Sequence, residues 1–439
     1  MSEELKRKIE SREAGIAVLG MGSVGLPLAL AFERAGFRVL GFDIDNERVT
    51  SLNTGGGYLH HLGDAPVKEL AASERFEATT DPAKLAGYDV KIICVPTPLG
   101  EYREPDLSYI ESAARTAVDS LSAGQMIVLE STTYPGTTRS VVAPLIEQRG
   151  LSLGSDAFLA YSPEREDPGR KDFHTATIPK LVGGFDEPSG ELAESLYGSA
   201  VASVKRVSST EVAESAKLLE NIFRAVNIAL VNELKVVLDA MSIDVWEVID
   251  AAASKPFGFM KFTPGPGMGG HCIPIDPFYL TWIARKVGLS TKFIELAGEI
   301  NRQMPQYVVE RTQLALNSVG KAVNGAHVMI LGLAYKPDVG IIDESPSISL
   351  IELFERLGAN VAYCDPYVPV PPRGFSETIE KYSATELNPE SLAAADVVVI
   401  ATNHSCFDYD QIAQHAPLVV DTRNALSSRM AGSEKYFKA

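Results

Sequence analysis

The feature that most constrains the fold is an apolar run, GIAVLG at residues 15–20, which passes directly into the glycine pattern GMGSVG between Gly20 and Gly25. The run predicts a short buried strand. The following segment, LPLALAFERAG, predicts a helix that ends at Gly36, because glycine suits the left-handed residue after a helix. A strand, a glycine-rich turn and a helix in this order predict the first βα unit of a doubly wound α/β domain.

Further apolar runs alternate with helical patterns and predict two sheets. In the first half of the chain they are FRVLGFD (37–43), VKIICV (90–95), MIVLE (126–130), FLAYS (158–162) and PKLVGG (179–184), which predict a parallel doubly wound sheet. After residue 320 they are HVMILGLA (327–334), NVAYCD (360–365), DVVVIAT (396–402) and PLVVDT (417–422). The first of these continues into GLAYKPD, which lacks the glycine pattern, so we expect this domain to bind something other than a dinucleotide.

The stretch from Ser208 to Ala240 is one long helical pattern, which we expect to open with a capping box of Ser208 and Glu211. A helix that is apolar over much of its circumference packs against other helices of its own chain or against a second subunit, and the sequence leaves both open.

The length of 439 residues exceeds what one hydrophobic core serves, so we expect several domains. The predicted fold class is α/β, with two Rossmann-like doubly wound domains joined by a long-helix central domain. The predicted boundaries are 1–206 for the dinucleotide-binding domain, 207–304 for the central helical domain and 305–439 for the C-terminal α/β domain.

Composition narrows the class of protein. Hydrophobic residues make up 45% and charged residues 22%, as in ordinary globular enzymes, and the net charge of -17 argues against nucleic acid or an anionic membrane as partner. The N-terminus lacks the apolar core of a signal peptide, and no apolar stretch reaches the ~18 residues of a membrane span. The four cysteines are far apart without a CxxC pair, which favours free thiols in a reducing cytoplasm and argues against a metal site.

The glycine pattern also indicates a ligand. Its glycines allow a pyrophosphate to approach the helix N-terminus, and Asp43, about 20 residues further on, can accept hydrogen bonds from ribose hydroxyls. A carboxylate there would repel a 2′-phosphate, so the pattern predicts NAD in preference to NADP. Arg48 either lies over the adenine or is simply solvated.

A second constellation is the segment GPGMGGHCIPIDP, from Gly265 to Pro277, with its cysteine at Cys272. Its glycines let the backbone approach a ligand closely, and its prolines stiffen the loop. A lone cysteine is commonly a small buried hydrophobe, but as a thiolate beside a lysine it is a nucleophile. Asp276 is placed to order a water molecule or a lysine, and His271 is an alternative base.

Lys217 and Asn221 lie four residues apart in the long helical pattern, so they project from one face. Together they can polarise a hydroxyl or carbonyl oxygen and hold a water molecule. An NAD-dependent enzyme with a nucleophilic Cys272 can hold an aldehyde as a thiohemiacetal, oxidise it to a thioester and hydrolyse the thioester. The combination predicts a four-electron oxidation of an alcohol to a carboxylate.

These motifs together resemble the UDP-glucose/GDP-mannose 6-dehydrogenase family over nearly the whole chain. The resemblance is carried, in chain order, by GMGSVGLPLA, VPTPLG, ESTTYPGT, YSPERE, SAKLLENIFRAVN, GPGMGGHCIP and DTRN. It implies NAD as cofactor, a UDP-sugar as substrate, a central domain that carries catalytic residues and dimerises, and a C-terminal domain that holds the UDP moiety.

The resemblance also implies roles for individual residues. Cys272 corresponds to the nucleophile, Lys217 to the group that assists removal of the hydroxyl proton, and Glu164 to a group that positions the hydrolytic water. The implied catalytic residues are Cys272, Lys217, Asn221, Asp276, Glu164 and Thr132. The residues expected at the cofactor are Gly20, Met21, Gly22, Ser23, Val24, Gly25, Asp43, Arg48, Pro96, Thr97 and Thr132. The residues expected at the substrate are Glu164, Arg165, Lys217, Asn221, Phe262, Gly265, Gly267, Tyr335, Lys336 and Arg423.

Within the family, the segments GGHCIPIDP and Pro256 to Phe262 resemble the branch that acts on UDP-N-acetylhexosamines. The segments SPEREDPG and REPDLS (Arg103 to Ser108) are most similar to bacterial UDP-N-acetylglucosamine 6-dehydrogenases. We expect UDP-N-acetylglucosamine as substrate, with UDP-glucose, UDP-N-acetylgalactosamine and UDP-N-acetylmannosamine as alternatives. One departure is Asp343, which stands where the family carries an arginine before ESP. Either its carboxylate points away from the pyrophosphate, or the reach of this segment toward the ligand differs from that in the family.

Two rival functions remain open. A single-step 3-hydroxyacid dehydrogenase also joins a Rossmann domain to a helical lysine–asparagine pair, but it needs neither the cysteine loop nor a second α/β domain. An inactive nucleotide-sugar-binding regulator is suggested only by Asp343. For the UDP-sugar dehydrogenase we expect a cytoplasmic homodimer or higher homo-oligomer, with no nucleic acid and no membrane as partner.

Overall fold

The computed structural model describes residues 1–59, 62–100, 104–166, 177–372 and 374–439. Arg103 and residues 167–169 of the SPEREDPG segment lie outside the described residues. Contacts divide the chain into two compact units. The first comprises Met1–Glu220 and Phe278–Ser290, and the second comprises Asn221–Pro277 and Thr291–Ala439.

The first unit is built on an eight-stranded sheet. Its strands are β1 (Gly15–Leu19), β2 (Arg38–Phe42), β3 (Phe76–Thr79), β4 (Val90–Ile93), β5 (Gln125–Leu129), β6 (Ala157–Tyr161), β7 (Lys180–Gly184) and β8 (Val204–Val207). Their order across the sheet is β3-β2-β1-β4-β5-β6-β7-β8, so the chain winds outward from β1 in both directions. Strands β1, β4 and β6 are buried along their whole length, as expected for a sheet covered on both faces.

One pairing departs from the all-parallel sheet that the sequence predicted. Strand β7 runs antiparallel to β6, with Ala160 opposite Gly184 and Tyr161 opposite Gly183. The other pairings of this sheet are parallel. Antiparallel neighbours need no crossover helix, so the charged, proline-containing connection between the two runs was a signal against parallel pairing. Strands β3 and β8 were not predicted because both are short and partly exposed.

Helices cover both faces of this sheet. They are α1 (Ser2–Glu10), α2 (Gly25–Arg34), α3 (Asn46–Thr54), α4 (Ala65–Ala71), α5 (Ser108–Asp119), α6 (Ala143–Gln148) and α7 (Glu187–Gly198), with a 3₁₀ helix at Pro82–Gly87 and a π-helical turn at Thr138–Val142. Side chains alternate along β1: Ile16 joins the core that contains Phe32 of α2, and Ala17 joins the core that contains Ile110 of α5. The predicted end of α2 is confirmed, since Gly36 follows it with φ +96°.

The long helical pattern forms a single helix, α8 (Thr210–Ala240), of 31 residues. The predicted cap was wrong by one position. The backbone N–H of Val212 donates to Ser209 Oγ at 3.3 Å, and Glu211 forms an ion pair with Arg139 instead of closing a capping box with Ser208. With two serines in succession before the helix, the sequence pattern alone did not distinguish the capping residue.

Three helices follow α8 before the second sheet: α9 (Val245–Ala253), α10 (Asp276–Lys286) and α11 (Lys292–Ser318). The sheet contains β9 (His327–Leu331), β10 (Asn360–Cys364), β11 (Val397–Ile400), β12 (Val419–Asp421) and β13 (Tyr436–Lys438), in the order β10-β9-β11-β12-β13 with every pairing parallel. The remaining helices are α12 (Pro346–Arg356), α13 (Glu377–Glu380), α14 (Pro389–Ala394), α15 (Tyr409–His415) and α16 (Ser427–Met430). Among the described residues, none of the helices combines the length and the apolar composition that crossing a membrane requires.

Candidate active site

The glycine pattern after β1 forms a turn in which the glycines serve different purposes. Gly20 has φ +94°, and a Cβ there would lie 2.5 Å from the carbonyl oxygen of Cys94. A Cβ on Gly25 would lie 1.9 Å from the carbonyl oxygen of Gly20, whereas a Cβ on Gly22 would meet nothing within 4 Å. Gly20 and Gly25 therefore let the protein backbone close on itself. Gly22 keeps the approach to the turn open, which is where a dinucleotide pyrophosphate fits.

The acid at the end of β2 holds this turn. Met21 N donates to Asp43 Oδ2 at 2.8 Å, and Arg48 Nη1 donates to the same oxygen at 2.9 Å. Arg48 is thus ion-paired with Asp43 and is not simply solvated. Asp43 stays a predicted ribose acceptor, because each carboxylate oxygen accepts more than one hydrogen bond. Of the other predicted cofactor residues in the turn, Ser23 is exposed and Val24 packs partly against the core.

The segments that follow β4 and β5 are tied together. Ser131 Oγ donates to the carbonyl oxygen of Val95 at 2.8 Å and accepts from Val95 N at 3.0 Å. This pair brings the predicted cofactor residues Pro96 and Thr97 to the same sheet edge as Thr132, which is half-buried. In a parallel sheet this edge, at the carboxyl ends of the strands, is where ligands bind.

Lys217 and Glu164 meet in the first unit. Lys217 is 7% exposed, and its Nζ donates to the backbone carbonyl of Glu164 at 2.5 Å. The Glu164 carboxylate accepts from Arg165 N at 2.7 Å and from Glu166 N at 2.6 Å, so its own loop holds one of its oxygens. Arg165, expected at the substrate, forms two hydrogen bonds with Glu220 of α8.

Sequence reasoning missed a buried charged cluster behind Glu164. Lys180 Nζ lies 2.8 Å from Glu130 Oε2 and 3.3 Å from Glu164 Oε2, and the side chains of Lys180 and Glu130 are 4% and 0% exposed. The Tyr197 hydroxyl donates to Glu130 Oε1. Burial alone would raise the pKa of Glu164, but the Lys180 ammonium and backbone N–H groups hold that pKa below its ordinary value. The sequence signal for this cluster was a charged residue at one end of each of two buried strands: Glu130 directly after β5 and Lys180 at the start of β7.

A second missed acid supports the segment after Thr132. Glu214 of α8 is fully buried and accepts from Gly136 N at 2.5 Å, Thr138 N at 2.9 Å and Thr138 Oγ1 at 2.7 Å. Burial raises the pKa of Glu214 to about 7, against the hydrogen bonds that favour its charged form. Glu214 therefore anchors the turn that carries Thr132 to the long helix.

In the second unit, Asn221 and Asp276 are paired. Asn221 Nδ2 donates to Asp276 Oδ2 at 2.5 Å, and both side chains are buried. Cys272 is a half-buried cysteine, and its carbonyl accepts from Ile275 N at 3.1 Å and Asp276 N at 2.8 Å. The cysteine therefore precedes α10 in a closed turn. One partner of Asp276 is Asn221, where the sequence had suggested a water molecule or a lysine.

The glycine loop before Cys272 packs against residues expected to hold the UDP moiety. A Cβ on Gly265 would lie 2.4 Å from Arg423 Nη1, and a Cβ on Gly269 would lie 2.7 Å from Tyr335 Cβ. Gly267 has φ +139°, a backbone conformation in which other residues are strained. Burial lowers the pKa of Arg423 to about 10, while Asp421 favours its charged form. The structure thus brings the predicted substrate residues of the loop together with those of the C-terminal sheet.

The other residues predicted to contact the substrate have the following surroundings. Lys336 Nζ lies 5.6 Å from the ring centroid of Tyr335. Phe262 packs edge-on against Phe223 of α8, with ring centroids 5.8 Å apart, whereas Phe257 of the same segment is 71% exposed. At the departure from the family, the backbone carbonyl of Asp343 accepts from Gly270 N at 2.9 Å. A backbone contact of this kind does not depend on the side chain at that position.

Comparison with protein families matches three consecutive domains. Residues 14–201 match the NAD binding domain of the UDP-glucose/GDP-mannose dehydrogenase family, residues 211–303 match its central domain, and residues 329–428 match its UDP binding domain.

Curated and solved relatives are similar over nearly the full length. UDP-N-acetyl-D-mannosamine dehydrogenase of Pyrococcus horikoshii is 35% identical, with 95% of this chain and 97% of the relative covered. UDP-N-acetyl-D-glucosamine 6-dehydrogenase of Pseudomonas aeruginosa is also 35% identical, with 90% and 92% covered. A solved structure of the UDP-D-ManNAc dehydrogenase from Pyrococcus horikoshii superposes with a TM-score of 0.87 at 32% identity, covering 97% of this chain and 98% of that chain.

Proposed function

The chain belongs to the UDP-glucose/GDP-mannose dehydrogenase family, and we propose that it converts the C6 hydroxyl of UDP-N-acetylglucosamine to a carboxylate through a thioester on Cys272. It is an NAD-dependent UDP-sugar 6-dehydrogenase. Bound NAD supplies the hydride acceptor for both oxidation stages. The proposal concerns the sugar and the division of the chemistry among this chain's residues.

The proposed reaction consumes one UDP-sugar, two NAD⁺ and one water, and yields one uronate, two NADH and three protons. The first stage removes the hydroxyl proton and a C6 hydride, which leaves an aldehyde. Cys272 Sγ adds to the aldehyde carbon to form a thiohemiacetal, and loss of a second hydride leaves a thioester. Water then adds to the thioester carbonyl, the C–S bond breaks, and the thiol is restored as the carboxylate departs.

Lys217 and Asn221 supply the donors for the reacting oxygen. The Lys217 ammonium stabilises negative charge on that oxygen in the alkoxide, thiohemiacetal and tetrahedral stages, and fixed donors of this kind usually contribute most to such catalysis. Contact with the Glu164 carbonyl fixes Lys217 Nζ, and contact with Asp276 fixes the Asn221 amide. Glu164 and Thr132 position the water for thioester hydrolysis, with the Glu164 carboxylate as its base.

The single observation that carries the proposal is the setting of Cys272. Its thiol is half-buried, in contrast to the buried Cys94 and Cys364. Its loop packs against Tyr335 and Arg423, so the nucleophile belongs to the same compact unit as the residues proposed to hold the UDP moiety. A cysteine with a purely structural role would be expected in an apolar core and not in a glycine loop.

An N-acetylated sugar is favoured by two considerations. The relatives described above are named for UDP-N-acetylglucosamine and UDP-N-acetylmannosamine, which share the acetamido group at C2. Phe262, packed on Phe223 near the start of the cysteine loop, offers an apolar wall for the acetyl methyl. We choose the gluco configuration, with UDP-N-acetylmannosamine, UDP-N-acetylgalactosamine and UDP-glucose as the alternatives.

Counting NADH against limiting UDP-N-acetylglucosamine tests this function directly. We expect two NADH per sugar and a uronate as the product. A 3-hydroxyacid dehydrogenase would give no NADH from this sugar but would reduce NAD with a 3-hydroxyacid, and an inactive nucleotide-sugar-binding regulator would give none from either. One NADH per sugar, with an aldehyde released, would contradict the thioester stage.

We also propose that the chain self-associates through α8. Four large apolar residues of this helix are at least 46% exposed and recur at intervals of four or seven residues, so they form one stripe: Leu219, Phe223, Leu230 and Val237. Such a stripe is typical of a helix that packs on another helix. Light scattering should give twice the monomer mass or a higher multiple, and a monomer mass would contradict this proposal.

A further inference from the structure

Because strand β7 is antiparallel to β6, its first residue, Lys180, lies at the edge of the first sheet where the parallel strands have their carboxyl ends. Tyr161, the last residue of β6, lies opposite Gly183 of β7, so Lys180, the first residue of β7, lies beyond the end of β6 at that edge of the sheet. A parallel strand would have brought its first residue to the other edge of the sheet. The side chain of Lys180 then lies between Glu130, which follows β5, and Glu164, which follows β6.

We propose that Lys180 is a positioning residue for thioester hydrolysis, which holds the Glu164 carboxylate ionised and correctly oriented between the Glu130 side chain and the loop that fixes Lys217. This inference rests on the proposed function, in which Glu164 takes a proton from the attacking water. Lys180 is only 4% exposed at its side chain, so it acts through Glu164 and not on a ligand directly.

Both carboxylate oxygens and the backbone carbonyl oxygen of Glu164 have hydrogen-bond partners. Oε1 accepts from two backbone N–H groups of its own loop, and Oε2 faces Lys180 Nζ at 3.3 Å. The backbone carbonyl of the same residue accepts from Lys217 Nζ. Loss of Lys180 would therefore release Glu164 Oε2, while the backbone contacts of Oε1 and of the carbonyl group remain.

The charges of the cluster decide which carboxyl group is protonated first. One ammonium, on Lys180, contacts two carboxylates, the buried Glu130 and the 15% exposed Glu164, and the Tyr197 hydroxyl donates to Glu130. Burial raises the pKa of Glu130, whereas Lys180 keeps the pKa of Glu164 low against the same burial. Lys217 on α8 also lowers the pKa of Glu164. The Glu164 carboxylate therefore stays available as a base while Glu130 is the acid that a proton reaches first.

Other charged groups around the cluster do not alter this order. The buried Cys94 thiol at the end of β4 faces Glu130 and Glu164, and burial raises its pKa, so the thiol is neutral. Arg165 in the loop pairs with Glu220. Stability alone is a weak reason to bury Lys180 and Glu130, because an apolar replacement of a buried ion pair is often neutral or stabilising.

The step served by Lys180 balances without a further reactant. The Glu164 carboxylate takes one proton from water as the water oxygen bonds to the thioester carbon. The C–S bond then breaks, and the departing thiolate takes that proton from Glu164. The carboxylic acid formed ionises to solvent. Both carboxyl groups of the cluster end in their starting state.

Decay of the acyl-enzyme in single-turnover experiments tests the inference with full-length Lys180→Met. We expect the first NADH to form at near the wild-type rate, while the thioester, followed by intact-protein mass, decays at least about tenfold more slowly, a part of the roughly 10²–10⁴-fold that a positioned base contributes. The decay rate should also be measured against pH. The acidic limb of this profile should move to higher pH, because loss of the Lys180 ammonium raises the pKa of Glu164. Lys180→Arg should restore most of the rate.

Glu130→Gln is the matched control. Glu130 is protonated before Glu164, so it is already neutral where Glu164 titrates, and the acidic limb of this variant should stay at its wild-type pH. A merely structural role of the cluster would lower the melting temperature of both variants without moving the limb in Lys180→Met. An unmoved limb in Lys180→Met overturns the inference. If that variant does not fold, an unmoved limb in Lys180→Gln overturns it instead.

Glu164→Gln separates failure of this inference from failure of the proposed function. Accumulation of the thioester in Glu164→Gln, together with wild-type decay in Lys180→Met, overturns the role of Lys180 alone. Wild-type decay in Glu164→Gln overturns the assignment of Glu164 as base and, with it, the inference about Lys180.

Discussion

Two substitutions in the glycine turn, Gly22→Ala and Gly25→Ala, each add one methyl group but should have different effects. The first should weaken NAD binding, and the second should destabilise the fold. The Cβ of an alanine at position 25 would lie 1.9 Å from the carbonyl oxygen of Gly20. The carbonyl oxygen belongs to the backbone and the backbone alone fixes the position of the Cβ, so no side-chain rotation relieves the overlap. Overpacking of this kind costs about 1–3 kcal/mol, and each kcal/mol lowers the melting temperature of a domain of this size by roughly 2–4 °C.

An alanine at position 22 meets no protein atom within 4 Å. We therefore expect its stability to stay within about 0.5 kcal/mol of wild type. Its methyl group instead fills the space through which the pyrophosphate approaches the N-terminus of α2. We expect NAD affinity to fall at least tenfold, which corresponds to about 1.4 kcal/mol of binding free energy.

Calorimetric titration with NAD and thermal unfolding with and without NAD distinguish the two effects. Gly22→Ala should melt like wild type without NAD but gain little from added NAD, and its affinity for UDP should be unchanged. Gly25→Ala should melt at a lower temperature under both conditions. Wild-type NAD affinity in Gly22→Ala would refute the assignment of this turn as the pyrophosphate site, and an unchanged melting temperature in Gly25→Ala would refute the tight backbone contact.

Three further predictions concern the cofactor, the substrate and pH. With Asp43 at the ribose, kcat/KM should be clearly higher with NAD than with NADP, and equal values would mean that Asp43 does not face the ribose. UDP-N-acetylglucosamine should exceed UDP-glucose by about 10–200-fold in kcat/KM, since a lost methyl-sized contact costs roughly 1–3 kcal/mol, and a preference for UDP-glucose would overturn the choice of sugar. Because burial raises the pKa of Glu214 from 4.5 to about 7, the folded protein binds more protons than the unfolded chain in this range. Stability should therefore fall as pH rises from about 5 to 8, and Glu214→Gln should remove part of this dependence in thermal unfolding; an identical pH dependence in the variant would contradict the shifted pKa.

The fold was largely predictable because its signals are local. A buried apolar run followed by GMGSVG and a helix is decided within one βα unit, and α8 follows from a long apolar periodicity. The direction of β7 was not predicted, because strand direction depends on how the connection to β6 returns and not on the residues of the strand. The capping serine was misplaced because Ser208 and Ser209 are equivalent in a sequence pattern and differ only in backbone geometry.

Residues of the candidate site could be predicted only where they lie in a recognisable sequence motif. Cys272, Lys217 and Glu164 lie in recognisable segments, and the structure places Lys217 on the Glu164 carbonyl. Lys180 and Glu130 were missed because one begins the buried strand β7, the other follows the buried strand β5, and the two are far apart in sequence. Their partnership depends on the antiparallel register of β7 against β6, which no local pattern encodes. Glu214 was missed because a carboxylate within a long helix normally faces solvent.

The thioester on Cys272 is the central claim, and mass spectrometry of the acyl-enzyme tests it most directly. The Glu164→Gln variant, mixed with NAD and UDP-N-acetylglucosamine and quenched in acid, should carry one uronyl adduct, which peptide mapping should place on Cys272. Hydroxylamine should remove the adduct, and Cys272→Ser should carry none and form no uronate while still binding NAD and the UDP-sugar. Uronate production by Cys272→Ser at the wild-type rate, or an adduct on any other residue, would contradict the covalent mechanism.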